Sequence, residues 1–291
     1  MKIFFILIIS LYLQAQDILI INSNDKVDKY NESIEAFTKN FHKPYTILNI
    51  GNMKNKDIKE YLYAQYPEMV YVVGSKAYQY VYRYIPEREV FFSSIINWKR
   101  FPKIDKRYGI SNEVYSGMQL TLIKSIFPDI KSIGVIYSKY TTNIVTDLEK
   151  NAAKLGINIV SKKISKDSLD TIDLSKIIKN TEAMIIISDP IFLSNQKTVE
   201  KMFNISEQNK KPIFAYHKLF INYGAILSIS VDNPTIGRQM ASIITNHIED
   251  KEIKNIQYPI GTKVIFNKKV ADKLGVKYSN NISYVASEII E

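Results

Sequence analysis

The sequence predicts an α/β fold of two similar lobes, each a parallel sheet flanked by helices. Three observations carry this. From Asp17 onward, short apolar runs alternate with longer amphipathic ones, the pattern of strand–helix–strand units. The plan then repeats: runs at Ile18, Thr46, Val70 and Val90 are matched by runs at Ile133, Ile159, Ala183 and Ile213, at offsets of 115, 113, 113 and 123 residues. Finally, small polar residues suited to capping helices follow directly on the strands. In an open parallel sheet that edge is where ligands bind.

In the first half, strands are expected at 18–21, 46–50, 69–73 and 90–92, with helices over 27–41, 57–66 and 76–84. Asn22-Ser23-Asn24-Asp25 is placed to cap the first helix, and Gly74-Ser75 the third. A helix over 113–127 leads to Pro128, which stops it. The second half has strands at 132–137, 158–162, 183–187 and 212–215, with helices over 143–155, 174–179 and 192–209. Gly156 suits a left-handed helix end. Asp189-Pro190 puts a capping carboxylate ahead of a proline at the first helical position. A strand at 225–230, a helix from Asp232-Asn233-Pro234 to about residue 250, a strand at 263–266 and a helix over 268–274 close the chain.

The composition is that of an ordinary globular protein: 291 residues, 46% hydrophobic and 23% charged, which excludes disordered and collagen-like classes. The length suits two domains. The net charge is +10, yet lysines lie beside carboxylates throughout, as in Lys54-Asn55-Lys56-Asp57. The densest basic run, Lys99 to Lys106, is broken by Phe101, Pro102 and Asp105 and reads as solvated surface. No nucleic-acid module is present, so no nucleic-acid partner is expected. The absence of cysteine excludes disulfides, thiolate metal sites and a lipid on an N-terminal cysteine. Met1-Lys2, an apolar stretch over 3–13 and Ala15 fit a short export signal at 1–15; the stretch is too short to span a bilayer.

Five stretches, FPDIKSIGVIYSKYTTN (127–143), EKNAAKLGINIV (149–160), KKPIFAYH (210–217), GAILSISVDNPTIGRQMA (224–241) and VIFNKKVADKLGVK (264–277), come in an order and spacing that carry a family likeness. The chain resembles the type I periplasmic solute-binding proteins of ABC uptake systems, in the branch that includes tryptophan- and phenylalanine-binding members. The resemblance is strong from Ser116 onward and looser before it. Ser93-Ser94-Ile95-Ile96 stands where members have a small-residue run ending in Asp-Pro, and Gly109-Ile110-Ser111-Asn112 where they have Thr-Gly. The likeness implies two Rossmann-like lobes joined by several hinge crossovers. The expected division is a first lobe over 16–113, completed by part of 232–262, and a second over 114–231, completed by 263–291.

No catalytic constellation is legible. His42 and His247 read as surface residues, and there is no paired-histidine zinc motif, phosphate loop or Gly-x-Ser-x-Gly elbow. Neither a metal nor a cofactor is expected. Strand ends supply the candidate ligand contacts. From the first lobe these are Ser23, Asn24, Ser75, Ser93 and Ser94, with Asn112 near the crossover. From the second they are Tyr137, Thr141, Thr142, Asp189, Tyr216 and His217, with Asp232 at the return. Tyr137 and Tyr216 suit either core packing or an aromatic platform. Asp189 is either a helix cap or the acceptor for a ligand ammonium. On both readings Asp189→Asn is expected to leave the unliganded fold intact, since Asn caps as well as Asp.

The resemblance implies an exported, soluble, monomeric binding protein. It would close on a small organic solute such as an amino acid and deliver it to an ABC permease in the inner membrane. A periplasmic sensor for a membrane kinase and an exported enzyme are the other readings.

Overall fold

A computed structural model describes residues 18–291. The expected export signal at 1–15 lies outside the described residues. The chain opens with β1 (Ile18–Asn22), α1 (Asp28–Asn40), β2 (Tyr45–Asn49), α2 (Asn55–Gln65), β3 (Met69–Val73), α3 (Ser75–Tyr84), β4 (Glu89–Ser93) and β5 (Arg107–Ile110). There follow α4 (Ser116–Ile126), β6 (Ser132–Ser138), α5 (Thr142–Lys154), β7 (Asn158–Ile164), α6 (Leu174–Lys179) and β8 (Ala183–Ile186). Next are α7 (Gln196–Gln208), β9 (Ile213–Ala215), β10 (Leu227–Val231), α8 (Asn233–Ile248) and β11 (Ile256–Gln257). The end is β12 (Thr262–Asn267), α9 (Lys268–Leu274), α10 (Ile282–Val285) and β13 (Glu288–Ile290).

Two sheets result. The first has the order β11-β5-β4-β3-β1-β2 and the second β13-β12-β10-β9-β8-β6-β7. Neighbours run parallel throughout except the antiparallel pair β10–β12. Ile18 pairs with Tyr45 on one side and Met69 on the other.

Helices cover both faces of each sheet, so the central strands are mostly apolar, with their polar residues chiefly at the ends. Side chains alternate between faces. Leu19, Ile21, Val70 and Val72 meet Ile58 and Leu62 of α2 and Tyr78 and Val81 of α3. Ile18, Ile20, Tyr71 and Val73 meet Phe37 of α1 and Ile236 and Met240 of α8. In the second sheet, Ile133 and Val135 pack on α4 and α5, while Met184 and Ile186 pack on α6 and α7.

The chain crosses between the sheets three times. It passes from β5 through 111–115 into α4, from β10 through Asp232 into α8, and from β11 through 258–261 into β12. The two-lobed α/β fold with several crossovers is therefore as expected.

The differences are local and have physical causes. Arg107–Ile110 forms a strand although it lacks an apolar run; Gly109 leaves room for the Phe92 ring, which a Cβ would strike. β11 and β13 are two and three residues long, too short for periodicity to show. The helix expected over 192–209 is a 3₁₀ turn at Phe192–Ser194 followed by α7, because Asn195 caps α7 by accepting from Thr198 N at 3.0 Å. The 22–25 segment does not cap α1, whose N-cap is Val27. Its asparagines close turns on Asn24 N and Lys26 N instead.

Candidate functional site

The carboxyl ends of the two sheets face one another across a cleft. Its wide part, about 1160 Å³, is lined by Ser75 and Gln79 of α3 and by Ile96 and Asn97 beyond β4. Opposite them stand Ser188 and Pro190 beyond β8, and Tyr216 beyond β9. Two smaller cavities, about 130 and 50 Å³, continue it toward the crossovers, and both are lined by Glu113, Val114 and Ile144. Asn97 and Arg100 line the wide part and the larger of these two; Ile96, Ser188 and Tyr216 line the wide part and the smaller.

Asn97 sits at the centre. Its backbone is left-handed (φ 54°), a conformation asparagine tolerates better than most residues. That turns its side chain across the cleft, where Nδ2 donates to Ser188 O at 2.7 Å and Oδ1 accepts from Ser188 Oγ at 3.4 Å. Both residues are buried. Asn97 N donates in the other direction, to Glu113 Oε1 at 2.7 Å, and the Ser111 hydroxyl donates to Glu113 Oε2. Burial raises the Glu113 carboxyl above the usual range, against the lowering effect of these two bonds and of Lys99 nearby. Beside them the Arg100 guanidinium of the first lobe lies 4.4 Å from the Tyr140 ring centroid of the second. Trp98, Lys99, Tyr140, Asp147 and Tyr258 complete the wall of the 130 Å³ cavity.

Of the residues expected to touch a ligand, the structure brings Ser75, Asn112 and Tyr216 to these cavities. Tyr216 is half-buried, and burial raises its hydroxyl above the ordinary value. Asn112 Oδ1 is buried and accepts no hydrogen bond from the protein.

The others are engaged elsewhere. Gly74 is the N-cap residue of α3, as expected, and the side-chain oxygen it lacks is supplied from a different strand's end by Ser23 Oγ, which accepts from Ala77 N at 2.9 Å. Asn24 closes its turn on Lys26 N. Ser93 is fully buried against the Tyr71 hydroxyl at 2.7 Å; Ser94, at φ 60°, is buried beside it in the chain and is the exception, its hydroxyl having no partner among the described residues. Tyr137 packs against the second sheet's core, which makes it a core residue. Thr142 Oγ1 donates to the carbonyls of Ser138 and Lys139. His217 Nδ1 accepts from Leu219 N at the cleft's rim. Asp232 caps α8 by accepting from Thr235 N at 2.9 Å.

Asp189 is the main correction. It has no exposed surface, and five donors take its oxygens. Oδ1 accepts from Ile191 N and Phe192 N, both at 2.9 Å. Oδ2 accepts from Ser138 N at 2.7 Å, from Ser138 Oγ at 2.8 Å and from the Thr141 hydroxyl. A carboxylate has about four lone-pair positions, so none is left for a ligand ammonium. Thr141, itself fully buried, is spent on the same carboxylate. Asp189 ties the β6 end to the β8 end inside one lobe.

Asn97, Glu113 and Ser188 are not among the contacts expected from the sequence, in which Lys99 and Arg100 read as solvated surface. The signal for them is weak: the segments just before Asn97 and Glu113, 93–96 and 109–112, are those that depart from the family pattern, and Ser188 has no such mark.

The family model described as ABC transporter substrate binding protein matches residues 54–290. A tyrosine-binding protein of Clostridioides difficile (strain R20291) is 26% identical over 187 residues, 62% of this chain and 53% of the relative. The chain thus spans about half the length of the curated relative it matches. Among solved structures, a ligand-free, open substrate-binding protein with adhesive properties from Clostridium difficile superposes with a TM-score of 0.70 at 16% identity, covering 94% of this chain and 99% of that one. The ABC domain in complex with L-Trp from Streptococcus pneumonia gives 0.63 at 18% identity, with coverage of 94% and 99%. At such identities these two structures show a shared fold.

Proposed function

The chain belongs to the family of ABC transporter substrate-binding proteins, and we propose that it is an exported receptor for an amino acid, closing its lobes on the solute and presenting it to a membrane permease. Members of the family bind small-molecule solutes and work with a permease; they are binding proteins, not enzymes. Among the described residues no helix is long and apolar enough to cross a membrane.

The observation that carries the amino-acid reading is the composition of the narrow cleft. A half-buried carboxylate, Glu113, shares one cavity with Lys99 and Arg100 and with the rings of Trp98, Tyr140 and Tyr258. A zwitterion with an apolar or aromatic side chain matches both charge signs and the rings. A tyrosine-binding relative supports the same class. The proposed contacts are Ser75, Asn97, Asn112, Glu113, Ser188 and Tyr216, drawn from both lobes. Closure would follow from contacts that exist only when both lobes touch the solute.

Thermal-shift titration with the common amino acids, and with sugars as controls, tests the reading. At about 100 times its dissociation constant the cognate amino acid stabilises the fold by roughly 2.7 kcal/mol, an easily read rise in melting temperature. A shift by sugars with none by any amino acid overturns the ligand class. Recovery of the native protein from the cytoplasmic fraction overturns export.

A further inference from the structure

With Asp189 consumed inside its lobe, a zwitterion's ammonium needs another acceptor. We propose that Glu113 and Asn112, adjacent on the first crossover, form the cleft's subsite for a ligand amine; this deepens the amino-acid reading above and rests on it.

Three observations meet there. Glu113 lines both of the smaller cavities. Its oxygens each take one hydrogen bond, from Asn97 N and the Ser111 hydroxyl, which leaves lone pairs on both, and it forms no ion pair among the described residues. Next to it, Asn112, which lines the smaller cavity, has a buried Oδ1 with no donor among the described residues, a state that ordinarily costs stability. A primary ammonium has three donors and a positive charge, so one such group answers both deficits. Burial raises the Glu113 carboxyl, as befits a group whose counter-charge arrives with the solute, while Lys99 nearby acts in the opposite direction. The subsite's place also matters. Asn97 N binds Glu113 while the Asn97 side chain binds Ser188, so an amine on Glu113 sits one residue from the contact joining the lobes.

The test compares three probes by calorimetry: L-tyrosine; phloretic acid, which lacks its amine; and tyramine, which lacks its carboxylate. The expected result is that Glu113→Gln weakens L-tyrosine and tyramine by about ten- to a hundredfold and leaves phloretic acid within about twofold. Gln keeps an acceptor for Asn97 N, and a melting temperature near that of the wild type checks the fold. Asn112→Ala provides the second arm. It removes an unpaired acceptor, so it weakens both amines several-fold without lowering the melting temperature. Equal loss for all three probes, or no loss for the amines, overturns the subsite. Glu113-dependent binding of tyramine with no binding of L-tyrosine keeps the subsite and overturns the amino-acid reading. No binding by any of the three overturns both.

Discussion

Asn97 and Ser188 join the two lobes by a reciprocal pair of hydrogen bonds, side-chain amide to backbone carbonyl at 2.7 Å and hydroxyl to amide oxygen at 3.4 Å. Both partners are buried, so water competes weakly for the pair. The contact is therefore a latch. Asn97→Gly removes it while keeping the left-handed backbone that residue 97 adopts, which glycine accepts without strain. We expect the balance between closed and open forms to move toward open by about 1–2 kcal/mol, a factor of roughly 5–30. X-ray scattering reads it: the radius of gyration of the variant should exceed that of the wild type, and the two should converge at saturating solute. Identical radii without solute would show that the latch does not hold the lobes.

Asp189→Asn is expected to destabilise the protein, contrary to what its Asp-Pro motif suggests. Each carboxylate oxygen accepts from at least one backbone N–H, Ile191 and Phe192 on one side and Ser138 on the other. An amide offers one acceptor and one donor, so either orientation points an NH₂ group at a backbone N–H that cannot accept. Leaving such a group unpaired in a fully buried site costs about 1–3 kcal/mol, more where a charged partner is lost. Denaturant melts of the unliganded variant check this; a midpoint within error of wild type would return Asp189 to the role of a simple cap.

The architecture is legible in the sequence because its signals are local. Residues 18–21 and Met69–Val73 are apolar throughout since helices press on both faces, and the near-constant offset between the halves is enough to disclose two lobes. The site is less legible because its residues take their roles from distant partners. Ser23 looks like a cap for the helix next to it, but it caps α3, 54 residues away. Asp189 carries a readable cap motif, while the Ser138 and Thr141 donors that fill its second oxygen lie on another strand's end. Nothing near Asn97 announces a left-handed turn aimed at Ser188, and Lys99 and Arg100 resemble any basic surface run until the second lobe supplies Tyr140.

Gly237 sets how closely α1 and α8 approach. A Cβ there would overlap Ser33 O and come within 2.8 Å of Phe37 N, both backbone atoms of α1. Ser33 Oγ also donates to Asn233 O at 3.1 Å, tying the same two helices. Backbone cannot yield as a side-chain tip does, so Gly237→Ala must push the helices apart and loosen Phe37, Ile236 and Met240. The gain in helix propensity, about 1 kcal/mol, is smaller than the overpacking loss of about 1–3 kcal/mol or more. A lower melting temperature is expected, whereas a rise would mean that α8 slides freely over α1.

His217 gives the cleft a pH dependence of definite sign. Burial lowers its imidazole below the ordinary value of 6.5, and the ammonium groups of Lys29 on α1 and Lys218 lower it further. Lys29 belongs to the opposite lobe and is itself held below its ordinary value by burial, so charging His217 places two cations face to face across the rim. Between the folded and unfolded values the unfolded chain binds more protons, so stability rises with pH there. The contribution is fully present above about 6.5 and is lost as the pH falls through the lower, folded value. His217→Asn keeps an acceptor for Leu219 N and removes the titration. Melting temperatures of wild type and variant should therefore draw together or cross between pH 8 and pH 5, with the wild type losing more. In proton NMR, the His217 resonance missing from that variant should titrate below the ordinary histidine range and move up in Lys29→Gln. A difference in melting temperature that stays constant with pH, or a His217 titration unmoved by Lys29→Gln, would show that the two residues do not face each other across the cleft.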